Sequence, residues 1–432
     1  MNLQEQIQHD FQKYLAHENN DSSEIFAQLR HKAIAEFEKT GLPNIKNEEW
    51  KYTNLRNISS LSFNSSSDIS NNAKKLLNEN SLNAIKANHL VFINGRFYND
   101  LSNIIENDKS IIISNLETER KNNSVHLEKH FGKYAKIEGE GLNAMNTALL
   151  NDGVFVYVPI NQKVEHPILI TNIVDATEFN VLSQPRNLIL VEKNSSVQII
   201  ENYLSTGINA SFTNVVNEIF VDENAKVEHY KIQQQCGESY QNNFTQFFQN
   251  TSSNINQVTL TLDGALIRNN LHFYMNGENC NSLLYGFYLT EKNNHIDNHT
   301  RVDHASPNCY SDEKYKGILK DESTAVFNGK IIVHVDAQKT NAYQRNQNIL
   351  LSETATINTK PQLEIFADDV KCTHGATIGR LDDEQLFYLQ SRGISKDSAR
   401  RILLNAFADE IAKRIKIPEL VQILEAEIEK KL

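Results

Sequence analysis

The chain has 432 residues, with 43 Lys+Arg against 54 Asp+Glu and a formal charge of −11. That balance excludes a nucleic-acid or anionic-membrane binder, which carries basic patches. No apolar run approaches the ~20 residues of a membrane span, and Met1-Asn-Leu-Gln-Glu-Gln has neither the basic nor the apolar segment of an export signal. No membrane association is expected, and a cytoplasmic protein is. The four cysteines, Cys236, Cys280, Cys309 and Cys372, lie far apart without a CxxC, which is no disulfide framework in a chain of this size.

Leu3, Ile7, Phe11 and Leu15 recur at helical spacing. Asp21 and Glu24 read as a capping box opening a second helix, which Gly41 and Pro43 stop. The only tryptophan, Trp50, stands in Glu49-Trp50-Lys51-Tyr52-Thr53, and its surroundings predict an anchor packing one element on another. His89 to Tyr98 reads as two strands joined by an Asn-Gly turn. A helix is predicted from Leu142 to Leu150 and a strand from Val154 to Pro159.

From there to about Gly379 the chain alternates β-branched runs with polar turns. A weak repeat leads an acidic or polar turn into Val197, Val227 and Val258, spaced 30 and 31 apart, and Val326 and Ile357, spaced 31 apart. A strand repeat of this period is the signature of a solenoid whose alternate residues fill a narrow core. After Gly379 helical signals return. Asp382-Asp383 caps a short helix ended by Gly393, Ser395 and Asp397 open another, and Pro418 is the first residue of a last one. Such helices either cap a solenoid or offer an apolar groove to a partner. The predicted organisation is mainly β: a mostly helical region over 1–150, a β-helix core over 151–380 and a helical region over 381–432.

No GxxxxGK[ST], GxGxxG, GxSxG or HExxH occurs, so neither a P-loop ATPase nor the common hydrolase sites are present. The pairs Asp368-Asp369 and Asp382-Asp383 do not suit a glycosidase, because adjacent strand residues face opposite ways and the second pair caps a helix. His299, Asp303, His304 and Cys309 are metal-ligand types, but a solvated loop held by Pro307 accounts for them. The sharpest pair is Cys372 and His374. In a strand they share one face while Thr373 points away, and Gly375 then lets another backbone or a ligand approach. A thiolate beside an imidazole suits zinc, iron or an iron–sulfur cluster. Two ligands are too few for a metal centre, so the rest must come from elsewhere, or else the two residues are ordinary packing.

Several ordered blocks carry a resemblance. They include Asp303-His304-Ala-Ser-Pro307, Lys316-Gly317-Ile318-Leu319, Val326-Phe327-Asn328-Gly329-Lys330-Ile331, Pro361-Gln362-Leu363-Glu364-Ile365 and Ala367 to Thr377, with Glu49 to Thr53 upstream. Together they closely resemble the SufB/SufD family of scaffold subunits in the Suf iron–sulfur cluster assembly machinery. The SufB branch typically reads His-Glu-Ala where this chain has His374-Gly375-Ala376, and has a cysteine in the coil where this chain reads Glu353-Thr354-Ala355-Thr356. Both departures favour the SufD branch.

The resemblance implies a right-handed parallel β-helix flanked by helices, working as a scaffold and not as an enzyme. It implies a complex with SufB, bound through the last coils, and with the ATPase SufC, bound through the C-terminal helices. A homodimer is expected of the isolated chain. A transient iron–sulfur cluster shared with SufB would engage His374, and Cys372 less certainly in the family pattern, with no cofactor held tightly by this chain alone. Two other readings stay open: a purely structural β-helix subunit that positions SufB and SufC, and a β-helix polysaccharide enzyme, which would need an acidic cleft.

Overall fold

A computed structural model describes residues 2–17, 24–64, 69–122 and 124–432. Asp21, expected to cap the second helix, lies outside them; the helices themselves run Leu3–His17 and Glu24–Thr40, and the second ends at Gly41 with φ +63°. From Val154 onward the chain winds as a β-solenoid of about eight turns. Each turn gives one strand to each of two ten-stranded sheets. Strands Ser196–Gly207, Lys226–Gln234, Asn254–Asp263, Asn281–Thr290, Tyr310–Leu319, Asn341–Leu350 and Lys371–Gly379 pair in parallel along the first sheet. Those between them, from Ser211–Val221 to Thr356–Ile365, build the second.

One tight corner repeats from coil to coil. Asn194, Asn224, Ser252, Asn279, Asn308 and Lys339 each hold positive φ there. Asparagine tolerates this conformation, and its amide reaches the next coil: Asn224 Nδ2 donates to Asn194 Oδ1, and Asn194 Nδ2 to Asn161 Oδ1, both at 2.8 Å. The residue after each turn fills the corner: Ser195, Ala225, Ser253, Cys280, Cys309 and Thr340 are all buried. This is where Cys280 and Cys309 go, as small packing residues.

The repeat is real, but its register is not the expected one. Val197 stands against Val227, and Val227 against Ile255, not Val258. Ile357 stands against Ala325, not Val326. Val258 instead faces Tyr230 across the strand pair and is buried among residues of the C-terminal helices. The outer face of this sheet is apolar where the C-terminal helices cover it, which blurs the alternation that would mark the inward side.

The helices pack on the sides. Leu3, Ile7, Phe11, Phe37 and Trp50 cluster with Phe212, Tyr240 and Leu266 on the outer face of the second sheet. Helices Lys396–Ala412 and Pro418–Lys431 bury Leu404, Ile411, Leu420 and Leu424 against Tyr230, Leu260, Tyr285 and Phe287 on the outer face of the first. Glu410 fastens this docking, accepting from Lys314 and, at 2.5 Å, from Lys316. The C-terminal helices therefore flank the solenoid and leave its last coil bare.

Candidate functional site at the open end

Strand Thr356–Ile365 ends one sheet and Lys371–Gly379 ends the other, and no described strand lies beyond either. An edge strand presents a row of unpaired N–H and C=O groups that templates pairing with another chain. Apolar side chains lie alongside: Phe366 is 62% exposed and Ile378 51%. A Cβ added at Gly375 or Gly379 would meet nothing within 4 Å. The end is open to a partner's backbone.

Cys372 and His374 stand on this last strand, in register with Ala342 and Gln344 of the coil beneath. Both of those are buried in the interior, so Cys372 and His374 share the inward-facing side of the strand, with Thr373 on the other. Cys372 is half-buried and, like Val370 and Leu363, packs against the core. Burial pushes its thiol pKa up, against the direction that makes a ready thiolate. His374 is exposed and makes no hydrogen bond to another described residue. No group of three or more His, Cys, Asp or Glu among the described residues is placed to hold a metal.

Directly under His374 lies a polar interior that the sequence reading missed. Gln344 is fully buried, and its Nε2 donates to Glu313 Oε2 at 2.8 Å. Thr300 Oγ1 donates to Glu313 Oε1 at 2.5 Å. Desolvation raises the Glu313 pKa to about 7, and the two hydrogen bonds only partly offset it. Glu201, deeper in the solenoid, behaves in the opposite way. Burial would raise it too, but Lys231 and His229, the latter 2.6 Å away, hold it near about 2. No such cation among the described residues acts on Glu313, near the open end.

Glycines shape this interior. A Cβ at Gly329 would lie 2.3 Å from Gln344 Nε2, and one at Gly317 would lie 2.2 Å from Tyr288 Cε2. The alternation Ser311, Glu313, Tyr315, Gly317 was the available signal for an inward face. The interleaved Asp312, Lys314 and Lys316 hid it.

The second expected cluster is dispersed, and it is no solvated loop. His299, Asp303 and His304 all lie in strand His295–His304. Asp303 pairs outward with Arg301 and His334, whereas His304 Nε2 turns inward to Ser311 Oγ at 2.9 Å. His299 joins a latch on the outer face. Arg268 donates to Asp297 at 2.6 Å, and its guanidinium lies 3.8 Å from the Trp50 ring centroid. His299 lies 3.0 Å from Asp297 and 3.3 Å from Glu49. The Thr53 hydroxyl donates to Asp297. Trp50 is thus an anchor, as expected, and its segment clasps the N-terminal region to the solenoid. Asp382 caps helix Asp383–Ser391, accepting from the N–H groups of Glu384 and Gln385.

Comparison with known proteins agrees with this architecture. Residues 172–407 match the SufBD core domain of SUF system FeS cluster assembly, and residues 1–170 match the SufBD protein N-terminal region. The chain is 33% identical to an iron–sulfur cluster assembly SufBD family protein of Synechocystis, over 88% of this chain and 85% of that one. It is 32% identical to the iron–sulfur cluster assembly protein SufD of Escherichia coli, over 91% and 90%. To SufD of Bacillus subtilis it is 30% identical over 75% of each. A two-sheet solenoid with helices at both termini, matched along nearly its whole length, belongs to the SufBD family of the SUF iron–sulfur cluster assembly system.

Proposed function

We propose that this chain is a non-catalytic scaffold subunit that pairs through its open end with a SufB-type subunit and contributes His374 to a nascent cluster held between them. The cluster is cargo, not a resident cofactor. The observation that carries the reading is the bare last coil, where an exposed imidazole stands beside two unpaired strand edges. The described residues bring together too few ligands for a metal centre, as a site completed by a partner requires. Cys372 fits a supporting place: its packing against the hydrophobic core favours a structural role. The ATPase SufC docks on the C-terminal helices, where Phe387 and Tyr388 are 72% and 58% exposed and Ile402 is also uncovered. Exposed aromatic side chains of this kind anchor interfaces.

The test is co-expression with SufB and SufC partners. His374→Ala is expected to retain the complex and lose cluster formation. Normal cluster loading in that variant overturns the role given to His374.

A further inference from the structure

We propose that Gln344, braced by Glu313, is a positioning residue that accepts a hydrogen bond from one ring nitrogen of His374 and leaves the other unprotonated and directed to the open end. The inference rests on the reading of His374 as a ligand, and adds what prepares it.

Three coils share one interior column here: Glu313 stands in register with Gln344, and Gln344 with His374. The Gln344 amide cannot turn freely. Its Nε2 is fixed on Glu313, and it occupies space that any side chain at position 329 would take. The other end of the amide, Oε1, is buried and has no hydrogen-bond partner among the described residues. A buried acceptor without a donor is a standing cost, so a donor that reaches it gains more than an exposed pair does. The next residue of the column, one strand spacing or about 4.8 Å away, is His374. Its imidazole is exposed and bonded to no described residue, so it is free to turn an N–H toward the acceptor.

The consequence is chemical. A neutral imidazole has one donor and one acceptor nitrogen, and the hydrogen bond made by the first decides which is left to bind a metal. Metal-binding histidines are usually fixed in this way by a carbonyl or carboxylate, and loss of that partner typically costs 10- to 100-fold in metal affinity. Glu313 acts one step further back: with an acceptor oxygen on Gln344 Nε2, it keeps the amide oxygen facing His374.

The test uses the full-length chain with 15N-labelled histidine, with the His374 signal identified by its disappearance in His374→Ala. Long-range 1H–15N spectra, at a pH where the ring is neutral, are expected to show one tautomer of His374 in the wild type. Gln344→Leu is expected to give the mixture of a free imidazole. Gly329→Ala, which displaces the amide without removing it, is expected to do the same and serves if Gln344→Leu does not fold. In the complex with SufB and SufC, Gln344→Leu is expected to retain cluster 10- to 100-fold more weakly. A tautomer mixture in the wild type, or one unchanged by both variants, overturns the positioning role. If His374→Ala abolishes loading while Gln344→Leu loads normally, only the positioning role fails. If His374→Ala loads normally, the ligand reading itself fails.

Discussion

The two ends of the solenoid are finished in different ways. At the first end the sheets close on themselves. Asn88–Ile93 turns through Asn94-Gly95, both at positive φ, into the short antiparallel strand Arg96–Phe97, and Ile112–Asn115 lies antiparallel to Val154–Val158. Helices and loops cover what remains, and Leu90, Phe92 and Val156 are fully buried. At the other end both sheets stop on parallel strands ten and nine residues long, with no described strand beyond them. Exposed long edges invite association, and proteins usually blunt them. Here Lys360, Pro361 and Glu364 are the devices of this kind on Thr356–Ile365, and its apolar neighbour Phe366 stays exposed. The same chain closes one end and leaves the other open, which is the contrast on which the proposed pairing with a second subunit rests.

The sharpest way to break this comparison is to put one charge at each end. Val156→Asp buries an unpaired carboxylate in the closed end and is expected to cost more than about 4 kcal/mol, read as loss of cooperative unfolding. Ile378→Asp at the open end is expected to leave unfolding stability within about 0.5 kcal/mol. It is also expected to weaken association with a partner subunit at least tenfold, or about 1.4 kcal/mol. A destabilised Ile378→Asp monomer would mean that the open end is part of the fold.

The latch gives the next largest effect. Arg268→Ala leaves Asp297 buried without its cation and removes the contact with Trp50, a loss of about 3–5 kcal/mol in chemical denaturation. Burial opposes ionisation of Asp297, but Arg268 and His299 outweigh it and hold its pKa below the usual carboxylate range. Its contribution is therefore present at neutral pH and lost as the pH falls below about 4, the unfolded value.

Glu313 has the opposite sign. Its pKa is raised from 4.5 to about 7, so the folded state holds a proton that the unfolded state has released between those values. Stability from this group is full below pH 4.5 and falls as the pH rises to 7, by about 3 kcal/mol at 1.36 kcal/mol per unit. Glu313→Gln is expected to flatten that part of the pH dependence between pH 4.5 and 8. An unchanged profile would mean that water or a cation reaches the carboxylate.

The elements were legible where one periodicity dominated. Leu3, Ile7 and Phe11 marked a helix with one apolar face, and Asn94-Gly95 marked a hairpin. The solenoid was legible from its repeat, but its register was not, because Val258 is apolar on the outside, under the C-terminal helices. Cys372 and His374 were visible as a pair because their types and spacing are unusual. Glu313 and Gln344 were not, since a polar residue inside a solenoid looks like one outside it until the coils are stacked.

The smallest effect separates the cysteines by position. Cys236 is exposed, Cys372 is half-buried at the open end, and Cys280 and Cys309 are sealed in the corner stack. Thiol labelling of the native chain is expected to proceed at Cys236 first and at Cys372 more slowly, since burial raises the Cys372 thiol pKa and less thiolate is present. Cys280 and Cys309 are expected to react only on unfolding. Adding a SufB-type partner should slow Cys372 alone, because only the open end is covered. Equal slowing at Cys236 would place the partner elsewhere on the solenoid, and reaction of Cys280 or Cys309 in the native chain would mean that the corner opens as well as the end.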